Sequence, residues 1–290
     1  MVQNRSQEIL SELGLINPKE IVPYFPRVRD RDDVAALTDQ SSGLIFLNRT
    51  DHMDAAHYET MDVGSYWGAP SRAEALLKYR EDDERRAAQF KTSIEGKDFI
   101  DIGCGTGGLL DLVKPFAKTV AGVELQSGVR GELEKLGYRM YRTSGDIPDA
   151  SCDVISLFHT LEHLPEPIEA LREAYRALRS GATLLVEVPH ARDALLALEA
   201  FRKFTLWSEH LILHTRASLQ KFLETAGFSS IIISGFQRYP LANHLGWLVT
   251  EGPGGQVKFP HLRDAALEIA YQKFLEDNDK TDTLIASARK

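Results

Sequence analysis

Glycines and acidic residues between positions 101 and 124 form a pattern that suits a nucleotide ligand. Residues 101–108 read DIGCGTGG, and Gly103, Gly105 and Gly108 match the G-x-G-x-x-G pattern of dinucleotide-binding loops. Glycines at such positions let a ligand approach the backbone closely. Glu124 ends the next apolar run, where a carboxylate can accept hydrogen bonds from both ribose hydroxyls. The pattern therefore predicts a site for an adenosine-type cofactor.

The position of Asp101 favours one class of cofactor over another. A pyrophosphate such as that of NAD sits on a helix N-terminus and is repelled by a nearby anion. Asp101 lies two residues before Gly103, at the mouth of the predicted site. A carboxylate there suits a cofactor that carries a sulfonium and an ammonium group, so we expect S-adenosylmethionine.

Histidines follow several of the apolar runs and are the candidates for acid–base chemistry. His159 follows the run ending at Phe158, and His190 follows Val188–Pro189. His210 and His214 lie in the segment expected to fold over the same edge. Imidazole titrates near 6.5, so it can remove a proton from a hydroxyl acceptor. We expect His190 to act as the base, with His159 and His210 as the next candidates; the alternative is that each caps a helix or bonds backbone.

The elements that position these residues alternate between strands and helices. Buried-strand patterns occur at 97–103, 119–124, 153–158 and 182–188, with helical patterns between them. Such alternation implies right-handed crossovers and a mostly parallel sheet, with the ligand crevice beyond the carboxyl ends of the strands. The loop and the histidines therefore belong to one predicted edge.

The flanking segments give weaker patterns. Strand-like runs occur at Val34–Leu37 and Leu44–Leu47, and the charged helix Ser71–Phe90 is typical of a solvated face. We expect a last strand at Leu245–Thr250 and a terminal helix at Ala265–Glu276.

The ordered motifs resemble those of class I S-adenosylmethionine-dependent methyltransferases, specifically the small-molecule branch. DIGCGTGG resembles their motif I, VAGVE their acidic motif, and LEHLPEP the turn after their fourth strand. The segment SEHLILHTRASLQKFLETAGF is similar to a later segment of many small-molecule members. The resemblance spans about residues 98–235 and implies a doubly wound, mostly parallel seven-stranded α/β sheet.

The resemblance also implies roles for individual residues. Asp101 and the loop glycines would line the methionine end of the cofactor, Glu124 would bind its ribose, and Asp146 would meet the adenine amino group. The cofactor-binding residues that we expect are Asp101, Gly103, Gly105, Gly107, Glu124, Leu125, Asp146, Ile147 and Phe158. For Asp146, the alternative is a turn residue before Pro148.

The N-terminal segment RDRDDVAALTDQSSGLIF is loosely similar to the appendage of methyltransferases from bacterial surface-glycan and nucleotide-sugar pathways. Such appendages often bind zinc through cysteines, which this segment lacks. His159, Glu162, His163 and His190 are residue types that could bind a divalent ion, but the LEH turn is common in metal-free relatives, so we expect no metal.

Composition limits the partners and the compartment. The 34 basic and 42 acidic residues give a net charge of −8, which disfavours nucleic-acid binders such as an RNA methyltransferase. The two cysteines form no C-x-x-C pair, and no apolar run reaches the length of a membrane span. We therefore expect a cytoplasmic protein without a membrane or nucleic-acid partner.

The predicted organisation is an N-terminal cap (1–65), a cofactor-binding core (66–250) and a C-terminal helical extension (251–290). The expected acceptor is a small molecule, either a sugar or a sugar nucleotide of polysaccharide biosynthesis, bound partly by the cap and by residues 192–214. Aromatic candidates for its pocket are Tyr58, Tyr66, Trp67, Trp207 and Tyr239. The rival functions are an NAD-dependent oxidoreductase and a non-catalytic S-adenosylmethionine-binding regulatory protein.

Overall fold

The computed structural model describes residues 4–53, 59, 61–262 and 264–290. The strands are β1 (Ile21–Phe25), β2 (Ala36–Asp39), β3 (Ile45–Leu47), β4 (Asp98–Ile102), β5 (Thr119–Val123), β6 (Arg139–Tyr141), β7 (Cys152–Phe158), β8 (Leu178–Pro189), β9 (Ile212–Leu213), β10 (Ser229–Phe236) and β11 (Thr283–Arg289). The helices are α1 (Arg5–Glu12), α2 (Val63–Trp67), α3 (Arg72–Gln89), α4 (Lys91–Ile94), α5 (Gly108–Val113), α6 (Ser127–Lys135), α7 (Pro167–Ala177), α8 (Glu199–Thr205), α9 (Arg216–Thr225), α10 (Leu241–Thr250), α11 (Gly255–Lys258) and α12 (Ala265–Asp277).

A seven-stranded sheet forms the central layer, in the order β10-β11-β8-β7-β4-β5-β6. Neighbours from β8 to β6 are parallel, whereas β11 is antiparallel to both β8 and β10. The prediction of an α/β, mostly parallel seven-stranded sheet is confirmed. Because β7 and β4 are neighbours, their carboxyl ends bring Phe158 and the glycine loop to the same edge.

Apolar side chains cover both faces of this sheet. Along β4, Phe99 belongs to one buried cluster, and Ile100 and Ile102 belong to the other. A strand alternates its side chains between faces, so β4 is buried on both sides. Asp101 shares the face of Phe99 and ends up beneath the loop that follows.

Two sequence predictions about the C-terminal part are wrong. Leu245–Thr250 lies within helix α10 rather than in a strand, because a helix buries Trp247 together with Asn243 and His244 one turn earlier and leaves Leu248 and Val249 exposed. The last strand is β11, which pairs along its whole length with β8. The expected extension 251–290 therefore contains the predicted helix, α12, but also a strand of the core sheet.

The N-terminal segment forms a second, small sheet together with a strand from the later chain. Its order is β1-β2-β3-β9, and β3 pairs with β9 through Ile45 opposite Leu213 and Phe46 opposite Ile212. Leu206 also accepts a backbone hydrogen bond from Arg29. The N-terminal segment and the residues around 206–213 therefore form one structure, above the carboxyl end of the central sheet. Among the helices that the structure describes, none is long and apolar enough to cross a membrane.

Candidate active site

The glycine loop follows β4 and requires glycine at its first position. Gly103 has φ +76°, and a Cβ there would lie 2.4 Å from Oγ1 of Thr160. Gly105 also has positive φ, +50°, but a Cβ there would meet no atom of the described residues within 4 Å. The loop thus packs tightly on Thr160 at one end, whereas at Gly105 the described residues leave room for a ligand to approach the backbone.

Asp101 lies beneath this loop and is only 5% exposed. Its Oδ1 accepts a hydrogen bond from Oγ of Ser156 at 2.6 Å. Burial raises the pKa of Asp101 to about 7, although the bond from Ser156 and the charge of Arg86 act in the opposite direction. A cationic ligand group would favour the ionised form of this carboxyl.

Glu124 links the end of β5 to the glycine loop. Its Oε2 accepts a hydrogen bond from the backbone N–H of Gly105 at 3.1 Å, and its Oε1 accepts one from Gln126 at 2.9 Å. The side chain is 3% exposed. A carboxylate oxygen has two lone pairs, so it can accept a ribose hydroxyl hydrogen besides a backbone N–H.

The other residues predicted to bind the cofactor differ in burial. Gly107 precedes α5, Leu125 is half-buried after Glu124, and Ile147 and Phe158 are buried. Asp146 is exposed, and its Oδ2 accepts hydrogen bonds from N and Oγ1 of Thr143, as a turn residue would. Contact of these residues with the cofactor stays a prediction.

A cavity of about 390 Å³ opens beside the carboxyl ends of β7 and β8. All three candidate histidines, His159, His190 and His210, line it. Trp207 and Tyr239 line it too, as the sequence predicted, whereas Tyr58 lies outside the described residues, as do the side chains of Tyr66 and Trp67. We call this space the acceptor cavity. Its walls also include Phe201, Phe204, Trp247, Arg29 and Arg238.

His190 is held in one tautomer by the main chain. Its Nδ1 lies 2.9 Å from the carbonyl oxygen of Thr281, which can only accept, so Nδ1 carries the hydrogen. Nε2 therefore holds a lone pair; in the part of the chain that the structure describes it has no hydrogen-bond partner, and Oδ1 of Asp279 lies 3.6 Å from it. Burial lowers the pKa of His190 to about 4, which keeps the ring neutral at physiological pH.

His159 is tightly fixed by charged neighbours. Its Nδ1 donates to Oε1 of Glu162 at 3.0 Å, and its Nε2 lies 3.2 Å from Oε1 of Glu187. Burial alone would lower its pKa, but these two carboxylates outweigh burial and raise it. The residue has φ +51°, an unfavourable conformation for a side chain other than glycine.

His210 belongs to a separate group of donor atoms. Single ligand atoms of Glu162, His163 and His210 all lie within 4.8 Å of one another. The rings of His163 and His210 are 5.0 Å apart, edge to face, and Trp207 lies against both. Burial lowers the pKa of His210 to about 3, so its ring is neutral.

A buried ionic network behind His159 was not predicted. Glu187 is fully buried, and Arg85 and Arg86 donate to its carboxylate at 2.7–2.9 Å. Arg238 pairs with Asp82 and lies 3.0 Å from Nε2 of His159. The expectation that the charged run of α3 forms a solvated face is wrong for these residues. The buried positions of α3, Ala75, Asp83 and Ala87, are separated by eight and four residues, as in a helix with one buried face. This spacing was the signal in the sequence that one face of α3 is buried.

The comparisons with known proteins agree with this geometry. A family model described as "Methyltransferase domain" matches residues 75–231, more than half of the chain. A probable S-adenosylmethionine-dependent methyltransferase of Mycolicibacterium smegmatis is 30% identical over 138 residues, covering 46% of this chain and 52% of that protein. A ubiquinone biosynthesis O-methyltransferase of Pseudomonas putida is 27% identical over 153 residues, covering 47% and 62%. The alignments thus span about half to three fifths of these curated relatives.

Solved structures show the same fold at low sequence identity. A possible histamine N-methyltransferase of Thermotoga maritima superimposes with TM-score 0.55 at 18% identity, covering 82% of this chain and all of that one. A putative methyltransferase of Haloferax volcanii, solved with the Trm112 activator, gives TM-score 0.56 at 12% identity, covering 79% of this chain and 97% of that one.

The buried carboxyls Asp101 and Glu124 fit the charged and hydroxyl groups of S-adenosylmethionine, and no described residue fills the space above Gly105. These residues would hold the cofactor, which supplies an activated methyl group when bound. The chain belongs to the methyltransferase domain family.

Proposed function

We propose that the chain is an S-adenosylmethionine-dependent methyltransferase that methylates a hydroxyl group of a small molecule bound in the acceptor cavity, and that this molecule is a sugar or a nucleotide sugar. The observation that carries the proposal is the cavity itself. Its volume, about 390 Å³, lies in the range that accommodates small ligands. It opens at the same sheet edge as the glycine loop, so acceptor and cofactor can meet there.

Arg29 supports an acceptor with an anionic group, in a cavity that is also lined by Arg238, Asp193 and Asp282. Arg29 lines the cavity, with its guanidinium 4.7 Å from the centre of the Trp207 ring. It donates to the carbonyl oxygen of Phe204, and within the described ranges it forms no ion pair. An arginine without a carboxylate partner suits a phosphate, which it can bind with two hydrogen bonds. A nucleotide sugar carries such phosphates.

His190 supports the hydroxyl as the group that reacts. Transfer to an alcohol requires loss of one proton, and a neutral imidazole with a free lone pair can accept it. Nε2 of His190 is the atom that has this lone pair. The hydroxyl oxygen would form a bond to the methyl carbon as the bond from sulfur to that carbon breaks, with the proton passing to His190. His159 is fixed between two carboxylates, so its role would be to orient the acceptor.

A phenolic acceptor is the second candidate. The cavity walls contain five large aromatic rings, which favour a planar ring as ligand: Phe201, Phe204, Trp207, Tyr239 and Trp247. The similarity to ubiquinone biosynthesis O-methyltransferases, which covers only part of those proteins, also supports a phenolic acceptor.

An acceptor panel tests the proposal and separates the two candidates. The panel contains nucleotide sugars, sugar phosphates, neutral sugars and catechols, and S-adenosylhomocysteine release is measured for each. We expect release with a nucleotide sugar or a sugar phosphate. Release with catechols alone would favour the second candidate. Release with none of these classes, while the protein still binds S-adenosylhomocysteine, would contradict both.

A further inference from the structure

We propose that Glu162, His163 and His210 form a binding site for a divalent transition-metal ion of the Zn²⁺ class, at the wall of the acceptor cavity. One carboxylate and two imidazoles are a ligand set that such ions prefer. Their donor atoms lie within 4.8 Å of one another. Donor atoms around one tetrahedral Zn²⁺ lie about 3.3 Å apart, so small side-chain rotations would close the site.

Glu162 provides the second, independent observation. Its side chain is completely buried, and Oε2 has no hydrogen-bond partner among the described residues. A buried carboxylate oxygen without a partner is costly and uncommon in folded proteins. Oε1 lies 4.0 Å from Nε2 of His163, and a metal ion bound by both oxygens of Glu162 would also satisfy Oε2.

The groups behind the three ligands are those that metal sites commonly have. The other oxygen of Glu162, Oε1, accepts the hydrogen bond from His159, which fixes the carboxylate. Nδ1 of His163 lies 3.9 Å from Oε2 of Glu209. Carboxylates and hydrogen bonds in these positions orient the ligands and strengthen their binding of the metal. Trp207 covers both histidine rings on one side.

Three protein ligands leave at least one position open on the ion, as in catalytic zinc sites. Because His210 lines the acceptor cavity, that position can take the acceptor oxygen; this part of the inference rests on the proposed function. A bound ion would lower the pKa of the acceptor hydroxyl, whose proton then passes to His190 or water as the methyl group transfers. This also explains how a base with a pKa as low as that of His190 could suffice.

The test is direct metal binding, which needs neither cofactor nor acceptor. The full-length protein is dialysed against a chelator and titrated with Co²⁺, read by its visible absorption, and then with Zn²⁺ in competition. We expect one ion per chain. Glu162→Gln, His163→Asn and His210→Asn should each weaken binding at least about 100-fold, whereas the exposed His261→Asn should bind like wild type. Circular dichroism confirms that each variant is folded.

Two results would overturn the inference. One is the absence of stoichiometric binding by the wild-type protein; the other is unchanged binding in all three ligand variants. The acceptor panel is then repeated with chelated and metal-loaded enzyme. Equal turnover in both, with no bound ion, would reject the metal site while the proposed function stands. Metal binding with no methylated acceptor would reject the proposed function and leave the metal site in place.

Discussion

Asp101 accepts a 2.6 Å hydrogen bond from Ser156 while buried beneath the glycine loop. Ser156 lies on β7 and Asp101 on β4, and the two residues are paired in register across the parallel strands. This contact stabilises the ionised carboxyl in a place where burial opposes ionisation. The charge state of Asp101 therefore depends on what binds above it.

Cofactor affinity should increase as the pH is raised past the pKa of Asp101, which is about 7. Below that pKa the carboxyl is protonated and does not attract the ammonium group of the ligand; above it the carboxylate does. The association constant for S-adenosylhomocysteine should increase about tenfold between pH 6 and pH 8. Calorimetry across this range checks it. Asp101→Asn should give a flat, weaker profile, and Ser156→Ala should shift the rise to higher pH. A flat wild-type profile would show that Asp101 is not a cofactor ligand.

Replacing Glu124 should weaken cofactor binding strongly. Glu124→Ala removes the acceptors for the ribose hydroxyls, each worth about 1.5–3 kcal/mol before water compensates, and also releases the N–H of Gly105. Glu124→Gln keeps one carbonyl acceptor and should lose less. Glu134→Ala, on the exposed face of α6, is the matched control. Equal affinities for the Glu124 and Glu134 variants would disprove the assignment.

His190→Asn should lower turnover by about 10²–10⁴ and leave cofactor affinity nearly unchanged. Because burial lowers the pKa of His190 to about 4, the ring is deprotonated across the neutral range. The ascending limb of the pH–rate profile should therefore lie well below 6.5, the ordinary pKa of a histidine side chain. Turnover is measured for His190→Asn, His159→Asn and His210→Asn. Near-wild-type rates for all three would rule out a histidine base.

Arg29→Ala should raise the KM for an anionic acceptor by about 10- to 150-fold, because a hydrogen bond to a charged group is worth about 1.5–3 kcal/mol. The kcat and the cofactor affinity should change little. Arg27→Ala is a suitable control, since Arg27 pairs with the exposed Asp32 on the same segment and lies outside the acceptor cavity. This substitution is a better test than deletion of residues 1–65, which would remove β3 from its pairing with β9. A KM effect equal in both variants would contradict a role in acceptor binding.

The parts of this site that the sequence predicted are local. Gly103, Gly105 and Asp101 lie within five positions, so the strand, the loop and its charge could be predicted together. The shared location of His159 and His190 was predicted from one rule: the carboxyl ends of parallel strands lie at the same edge of the sheet.

The parts that it missed depend on distant residues. Arg85 and Glu187 are 102 positions apart, and no local pattern shows that this exposed-looking arginine pairs with a carboxylate inside β8. The apolar run of α10 fits a strand and a buried helix equally well. β11 was overlooked because its alternation of small residues, TLIASAR, is weak.

The most direct test of the whole account is the fate of a labelled methyl group. The enzyme is incubated with S-adenosylmethionine carrying a trideuterated methyl group and, in separate reactions, with nucleotide sugars, catechols, RNA and protein. Mass spectrometry then shows which product carries the label. We predict a labelled methyl ether of a small molecule, lost in His190→Asn and reduced in Arg29→Ala. Label in RNA or protein, with none in any small molecule, would contradict the assignment of the acceptor cavity.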